Sequence, residues 1–387
     1  MITKISTNLV KNTFFKLSKL FIMQNKEWML VPLFNQFIKE SYSGKRTKPD
    51  GSKIKPQSVK NYEYVLKHLV NYQLKTGQEI RIRCFKGNNQ RQFKTEKNYW
   101  RKFYEGFTHY LYKDKQCFDN YVGTVIKTIR IFFNWLVKEK GLAAGNFHKN
   151  FYIMKEDVPI VTLMPDQLDF LINNELFEQG LNKSLQKSKA IFVFGCTVAL
   201  RKSDLFSIRF TDISQQAGAF YLAVKTIKTG SSIRLKLPAY AMQIVEDFKK
   251  TARKRKTVFP PIPPSRFNQQ IKEIAALAGW TETLSKKRSR KGVQIEWKRP
   301  DAGGSRPAAE AYRFCDLVSS HTMRRTAITT MLMLGMKEHV VKQLSGHAGN
   351  SKSFSRYVNL VQPFVDTEMD RVWGRFQYAE NGALAGV

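Results

Sequence analysis

The sequence predicts a mainly α protein with a small β-sheet, arranged as a basic helical bundle followed by a larger α+β domain. Three observations carry that expectation. Apolar residues recur at helical spacing over most of the chain, strict alternation is confined to one stretch near residues 220–237, and 387 residues are too many for one core. The boundaries expected are an N-terminal extension over 1–26, the bundle over 27–150, a linker over 151–161, the second domain over 162–377 and a frayed tail over 378–387.

The bundle reads as four helices. Lys26 to about Ser43 offers Trp28, Leu33, Phe34 and Phe37 to a core, and SGKRTKPDGSK then makes a basic loop able to reach a phosphate backbone. The second helix follows Pro56, with Tyr62, Val65, Leu69 and Tyr72 on one side and Gly77 near its end. EIRIRCFKGNNQRQFK is strand-like or irregular. A third helix from about Thr95 buries Trp100, Phe103, Phe107 and Leu111, and a fourth, Phe118 to Lys140, buries Val122, Val125, Ile129, Phe132, Phe133 and Leu136.

The second domain opens with LMPDQLDFLIN, where proline suits a first helical turn. Ala190 to Val198 is apolar nearly all round, hence a buried helix whose exit is Ala199, Leu200 and Arg201. A guanidinium at that exit must pair or face a cleft, and Asp204 is the residue placed to hold it. Phe220 to Lys225 and Ile233 to Leu237 alternate and turn at Gly230, a β-hairpin with Lys225 and Lys228 beside its turn. Ser265 to Gly279 reads as a helix with Ser265 as its N-cap, and SKKRSRKGVQIEWKRPDAGGSR as a basic excursion, solvated or touching a polyanion.

The densest chemistry lies in HTMRRTAITTMLMLGMKEHVVKQLSGHAGNSKSFSRYVNL. Met323, Ala327, Met331 and Leu334 give one helix an apolar face before Gly335, so His321 and Arg324 stand one turn apart. A second helix, Lys337 to Leu344, buries Val340, Val341 and Leu344, and Gly346 ends it just before His347. Ten residues on, Phe354 and Val358 anchor Tyr357 with its phenol free. Val365, Met369, Val372, Trp373 and Phe376 make a last amphipathic helix.

Charge narrows the partners. Residues 1–150 carry 29 Lys and Arg against 10 Asp and Glu, a net +19, and the remainder contributes +15 to the total of +34. Because both halves are basic, a polyanion running along the molecule fits, nucleic acid better than a membrane. Cys84, Cys117, Cys196 and Cys315 lie far apart, which suggests neither a disulfide framework nor a zinc site and fits a reducing compartment. Lysines interrupt the apolar run in FFKLSKLFIM, so a secretory signal is a poor fit, and no segment reaches the roughly 18 apolar residues of a membrane span.

HxxR at His321 and Arg324, GH at His347 and the tyrosine ten residues later resemble the second half of the active site of the tyrosine recombinases, the phage-integrase-type family. TVALRKSDLFSIRF around Arg201 is similar to the family's first motif, and VKTIKTGSSIRLKLP to its lysine hairpin. The resemblance covers residues 160–375 strongly and 27–150 by pattern. It implies a SAM-like core-binding bundle joined to a tyrosine-recombinase catalytic domain, with catalytic Arg201, Lys228, His321, Arg324, His347 and the nucleophile Tyr357. Lys225 remains the alternative lysine. Two departures stand out: Ala199 where many relatives have glycine, and a longer run from Lys228 to Pro238.

The chemistry needs these residue types. Breaking a phosphodiester without a metal or other cofactor requires a nucleophile, cations for the non-bridging oxygens and an acid for the leaving oxygen. By the resemblance, Tyr357 attacks and keeps the bond as a 3′-phosphotyrosine, Arg201 and Arg324 hold the phosphate, and Lys228 protonates the 5′-oxygen. His321 shares a proton and His347 donates to the phosphate. The family implies a bacterial cytoplasmic, nucleoid-associated enzyme acting as a homo-tetramer on double-stranded DNA attachment sites with inverted half-sites, integrating or excising a mobile element, with accessory DNA-bending or directionality factors. A type IB topoisomerase shares the residue set, and a non-catalytic DNA binder could keep the fold.

Overall fold

The computed structural model describes residues 27–83, 90–142, 144–298, 311–347 and 351–358, with 366, 369–371 and 373. The extension over 1–26, Cys84, the tail and most of the helix expected from Val365 to Phe376 fall outside the described residues. The chain divides into two compact units, Met1–Val158 with Lys287–Glu296, and Pro159–Lys286 with Trp297–Val387. A single break at 151–161 was expected; the structure adds an excursion, because ten residues that follow the second unit's helices in sequence belong to the first unit.

In the first unit α1 (Leu30–Ser43), α2 (Pro56–Thr76), α3 (Gln90–Lys113) and α4 (Asp119–Lys138) form the bundle. The residues expected to begin the first helix instead form β1 (Glu27–Met29), antiparallel to β2 (Arg81–Arg83), with Trp28 opposite Ile82. Local periodicity could not show this, since the partner strand lies over fifty residues away. The third helix begins at Gln90, ahead of the expected Thr95. Every apolar position expected in α3 and α4 is buried, and aromatic rings fill the centre: Phe34 and Phe132 lie 4.7 Å apart and Trp100 and Phe133 4.9 Å. Each such pair adds about 0.5–1.5 kcal/mol beyond area burial.

The basic loop after α1 is partly pinned. Arg46 folds back over Phe37 at 4.4 Å and donates to Ser41 Oγ at 3.2 Å, while Lys45, Lys48 and Lys53 stay exposed. Arg46 is thus engaged within the unit, while those lysines remain at the surface.

In the second unit α5 (Pro165–Asn173), α6 (Glu175–Gly180), α7 (Lys183–Val198), α8 (Lys202–Leu205), α9 (Ala239–Lys250), α10 (Pro264–Leu277), α11 (Phe314–Leu317), α12 (Ser320–Met333), α13 (Glu338–Ser345) and α14 (Lys352–Val358) surround a three-stranded antiparallel sheet. The sheet runs β3 (Ile213–Gln216), β4 (Ala219–Lys225), β5 (Ser232–Leu237) in that order; only the last two strands were read from the sequence. The alternation holds in register, Leu222 opposite Leu235 and Lys225 opposite Ser232, with Leu222, Ile233, Leu235 and Leu237 buried. Beyond α10, β6 (Thr283–Leu284) pairs with β9 (Tyr312–Arg313), and β7 (Lys287–Arg290) with β8 (Val293–Glu296).

α7 is the unit's axis and is longer than expected, because Asn182 caps it by accepting from the backbone of Ser184 and Leu185 at 3.0 Å. α12 crosses it closely at Gly195, where a methyl group would sit 2.4 Å from the Met323 sulfur. Two expectations fail locally. Pro263, not Ser265, is the N-cap residue of α10, since a proline at the first helical position already supplies the helical φ. Leu334 is 74% exposed because it caps α12 where the chain turns into Gly335, and Leu332 takes the buried place at 0%.

Candidate active site

Arg324 is the best-held residue of the motif set. The close crossing at Gly195 brings α12 against the end of α7, and Arg324, 6% exposed, donates from Nη1 to the carbonyl of Ala199 at 2.8 Å. Ala199 itself adopts φ +55, the left-handed region, as the C-cap of α7. That conformation explains why glycine suits the position: an L residue there is strained by about 1–2 kcal/mol.

The other Arg324 terminus meets His347. Nη2 lies 3.2 Å from Nε2 of the imidazole, and the ring's Nδ1 lies 2.7 Å from Ser345 Oγ. Ser345 directs its hydroxyl proton to the Val341 carbonyl at 2.6 Å and so accepts from Nδ1–H, while Arg324 Nη2, 3.3 Å from Nδ1 and 3.2 Å from Nε2, lies over the imidazole and not on one nitrogen's lone pair. Burial, then Arg324, Arg201 and Lys342, press the His347 pKa down to about 4. His347 is thus neutral here, and donation from Nε2 to a phosphate requires a gained proton or the other tautomer.

Gly346, at φ +62, ends α13 and lets His347 N–H donate to the Lys342 carbonyl at 2.9 Å. A methyl group at Gly346 would lie 3.2 Å from Ile233 Cδ1, so this turn rests on β5 of the sheet. Tyr357 on α14 faces the same cluster, its ring 6.0 Å from that of His347, with Phe354 fully buried behind it.

Arg201 follows Ala199 by two residues, and its Nη1 is shielded from solvent with no hydrogen-bond partner. The expected Arg201–Asp204 pair does not form. Asp204 turns the other way, its Oδ1 accepting from the backbone of Ile227 at 2.9 Å, while Oδ2 has no partner. The β4–β5 turn takes this carboxylate because its partly buried Ile227 amide needs an acceptor and the buried Asp204 supplies one. Asp204 therefore positions the lysine turn instead of the guanidinium. Within the turn Thr226 and Thr229 hydroxyls lie 2.7 Å apart and Gly230 takes φ +69, leaving Lys225 and Lys228 both exposed.

His321 opens α12, and its pKa is lowered by burial and then by Arg325, Arg324, Arg201 and Lys202. Burial followed by Arg201 lowers the Arg324 pKa to about 10, which still leaves it charged at neutral pH. The sequence reading did not pick out Ser345, Arg325 or Lys202. Lys202 Nζ is shielded and without a hydrogen-bond partner, 5.8 Å from the Phe206 and Phe267 ring centres. Only Ser345 left a signal, a hydroxyl two residues before a histidine at a helix end. Buried cations without a partner are costly, and Arg201 Nη1 and Lys202 Nζ are two such groups in this cluster. Among the described residues no group of His, Cys, Asp and Glu could hold a metal, and no helix is long and apolar enough to cross a membrane.

The fold has solved counterparts. It is similar to the XerH site-specific recombinase bound to a palindromic difH substrate, at 11% identity and TM-score 0.56, covering 88% of this chain and 85% of that one. It is similar to the Tn1549 transposon integrase in complex with transposon right-end DNA, at 13% and 0.54, covering 89% and 99%. A lambda integrase tetramer bound to a Holliday junction matches at 13% and 0.53, covering 86% and 78%. No curated protein matches the sequence. A profile of the phage integrase family matches residues 163–362, over half of the chain and inclusive of every motif residue named above. The chain belongs to the phage integrase family and is a tyrosine-type site-specific recombinase.

Proposed function

We propose that Tyr357 is the nucleophile of this recombinase and that Arg201, Arg324, His321, His347 and Lys228 serve it. The carrying observation is the placement of the Tyr357 ring 6.0 Å from that of His347, beside a cluster in which Arg201 Nη1 is shielded from solvent with no hydrogen-bond partner. A phosphodiester entering that cluster supplies the missing negative charge. Its non-bridging oxygens take the two guanidinium forks, and the phenol oxygen attacks phosphorus in line with the 5′-oxygen. His321, held neutral by burial and its cationic neighbours, accepts the phenolic proton.

Lys228 then protonates the leaving 5′-oxygen. It is favoured over Lys225 because Asp204 fixes the backbone of Ile227, the residue next to it, whereas Lys225 is a regular strand position paired with Ser232. The bond energy is kept in the 3′-phosphotyrosine, so a 5′-hydroxyl from a second strand reverses the step without a cofactor. The working assembly in this reading is a homo-tetramer on two attachment sites with inverted half-sites, supported by the tetramer of the lambda integrase neighbour. Accessory bending or directionality factors would set integration against excision in the bacterial cytoplasm.

The test is a suicide duplex carrying a cognate site, separated under denaturing conditions. The parent forms a covalent adduct and Tyr357→Phe forms none while binding the duplex equally well. An adduct in Tyr357→Phe removes the assignment, and no adduct in the parent on any cognate site favours a non-catalytic binder.

A further inference from the structure

In the basic excursion after α10, of which residues 299–306 lie outside the described residues, 287–296 form a paired hairpin. Lys291 at φ +53 and Gly292 at φ +79 make a tight two-residue turn that closes β7 and β8 into a hairpin, and the hairpin is seated on the first unit. Two carboxylates hold it. Asp119, 2% exposed at the start of α4, accepts from the backbone of Lys291 at 2.7 Å and of Gly292 at 2.9 Å, and from the Tyr112 hydroxyl at 2.7 Å. Glu156 accepts from Arg288 Nη2 at 2.7 Å and from the backbone of Ser289.

The segment carrying Glu156 is itself fixed to α4. Asn120 donates to the Glu156 carbonyl at 2.9 Å and accepts from its backbone N–H at 3.1 Å, a side chain imitating a strand neighbour. At Gly123 a methyl group would lie 2.0 Å from the Met154 carbonyl oxygen, so only glycine admits the segment there. The hairpin's arginines are committed inward: Arg288 and Arg290 lie over Phe118 at 4.3 and 5.1 Å, and Arg290 also donates to the Gln116 carbonyl at 2.9 Å. Charges so engaged cannot also hold phosphates.

We propose that the β7–β8 hairpin is a latch, a second tether from the DNA-cleaving unit to the helical unit, and that its seating on Asp119 and Glu156 strengthens the grip of the chain on duplex DNA. Two DNA-binding modules joined by one short connection gain avidity according to how tightly the linkage confines them, and a second attachment narrows that freedom. Each hydrogen bond between a backbone N–H and a buried carboxylate is charge-assisted and desolvated, so the seat is strong yet reversible. The affinity part of the proposal rests on the recombinase reading; the seating does not.

The experiment uses the full chain with Asp119→Asn and Glu156→Gln combined, changes that keep shape and remove charge. Without DNA, amide exchange of the hairpin at Ser289, Lys291 and Gly292 should speed at least about ten-fold while α1–α4 stay protected. On a cognate duplex, Kd should rise about ten-fold. Lys287→Ala with Lys291→Ala, whose side chains are exposed, should change neither the exchange nor more of the affinity than two phosphate contacts account for. Unchanged hairpin exchange in the carboxylate variant overturns the latch. Faster exchange with unaltered Kd overturns its role in DNA grip, and a larger loss from the lysine changes makes the hairpin a direct DNA contact. If the parent binds no duplex, the recombinase reading falls while the exchange rates still decide the seat.

Discussion

Ser345 and His347 fix the protonation state of the active site between them. The serine gives its proton to Val341 and accepts from Nδ1 at 2.7 Å, so Nε2 is left without the ring proton. Ser345 is fully buried.

Ser345→Ala should therefore slow cleavage of a suicide duplex about ten-fold, near 1.4 kcal/mol for one lost orienting bond, with little change in duplex affinity. Single-turnover rates beside Kd make the comparison. Equal rates in parent and variant would show that Arg324 alone orients the ring.

Acid should destabilise the free protein before any carboxylate titrates. The pKa of His347 and that of the buried His148 are both lowered to about 4, burial being the main cause, against an unfolded value near 6.5. The unfolded chain then binds more protons between those values, so the stability these neutral rings carry is complete above about pH 6.5 and is lost as pH falls toward 4. Thermal midpoints at pH 7 and pH 5 should differ, and bound duplex should narrow the gap by favouring a charged His347. A midpoint that is flat across this range contradicts the picture.

Asp204→Ala should release the lysine turn. Ile227 N–H loses its acceptor, and Lys228 is no longer brought to the leaving oxygen. Cleavage should fall tens of fold, and a 5′-bridging sulfur substrate, whose leaving group needs no proton, should restore much of it in Asp204→Ala and in Lys228→Ala alike. Rescue in Lys225→Ala and none in Lys228→Ala would exchange the roles of the two lysines.

Ala199→Gly should leave stability within about 1 kcal/mol of the parent, relief at φ +55 offsetting a lost buried methyl group. Ala199→Val, β-branched in a left-handed and fully buried site, should lose several times as much and weaken cleavage by shifting the carbonyl that anchors Arg324. Denaturant midpoints with adduct yields separate the two effects.

What the sequence determined by itself was whatever repeats locally or is written in a motif. The four bundle helices, the buried run ending at Val198 and the β4–β5 alternation follow from periods of 3.6 and 2, and the order of Arg201, HxxR, GH and Tyr357 announced the family. Tertiary structure decided what depends on distant partners. Glu27–Met29 became a strand because Arg81–Arg83 offered it an edge, and Asp204 left Arg201 for the Ile227 amide because a buried backbone donor must be satisfied. The basic excursion over 285–306 read equally as a solvated loop or a polyanion contact, because composition counts charges without showing where they point. Glu156, more than a hundred residues earlier, holds Arg288, and Asp119 holds the backbone of the turn at Lys291 and Gly292; only folding brings groups so separated in sequence within reach of one hydrogen bond.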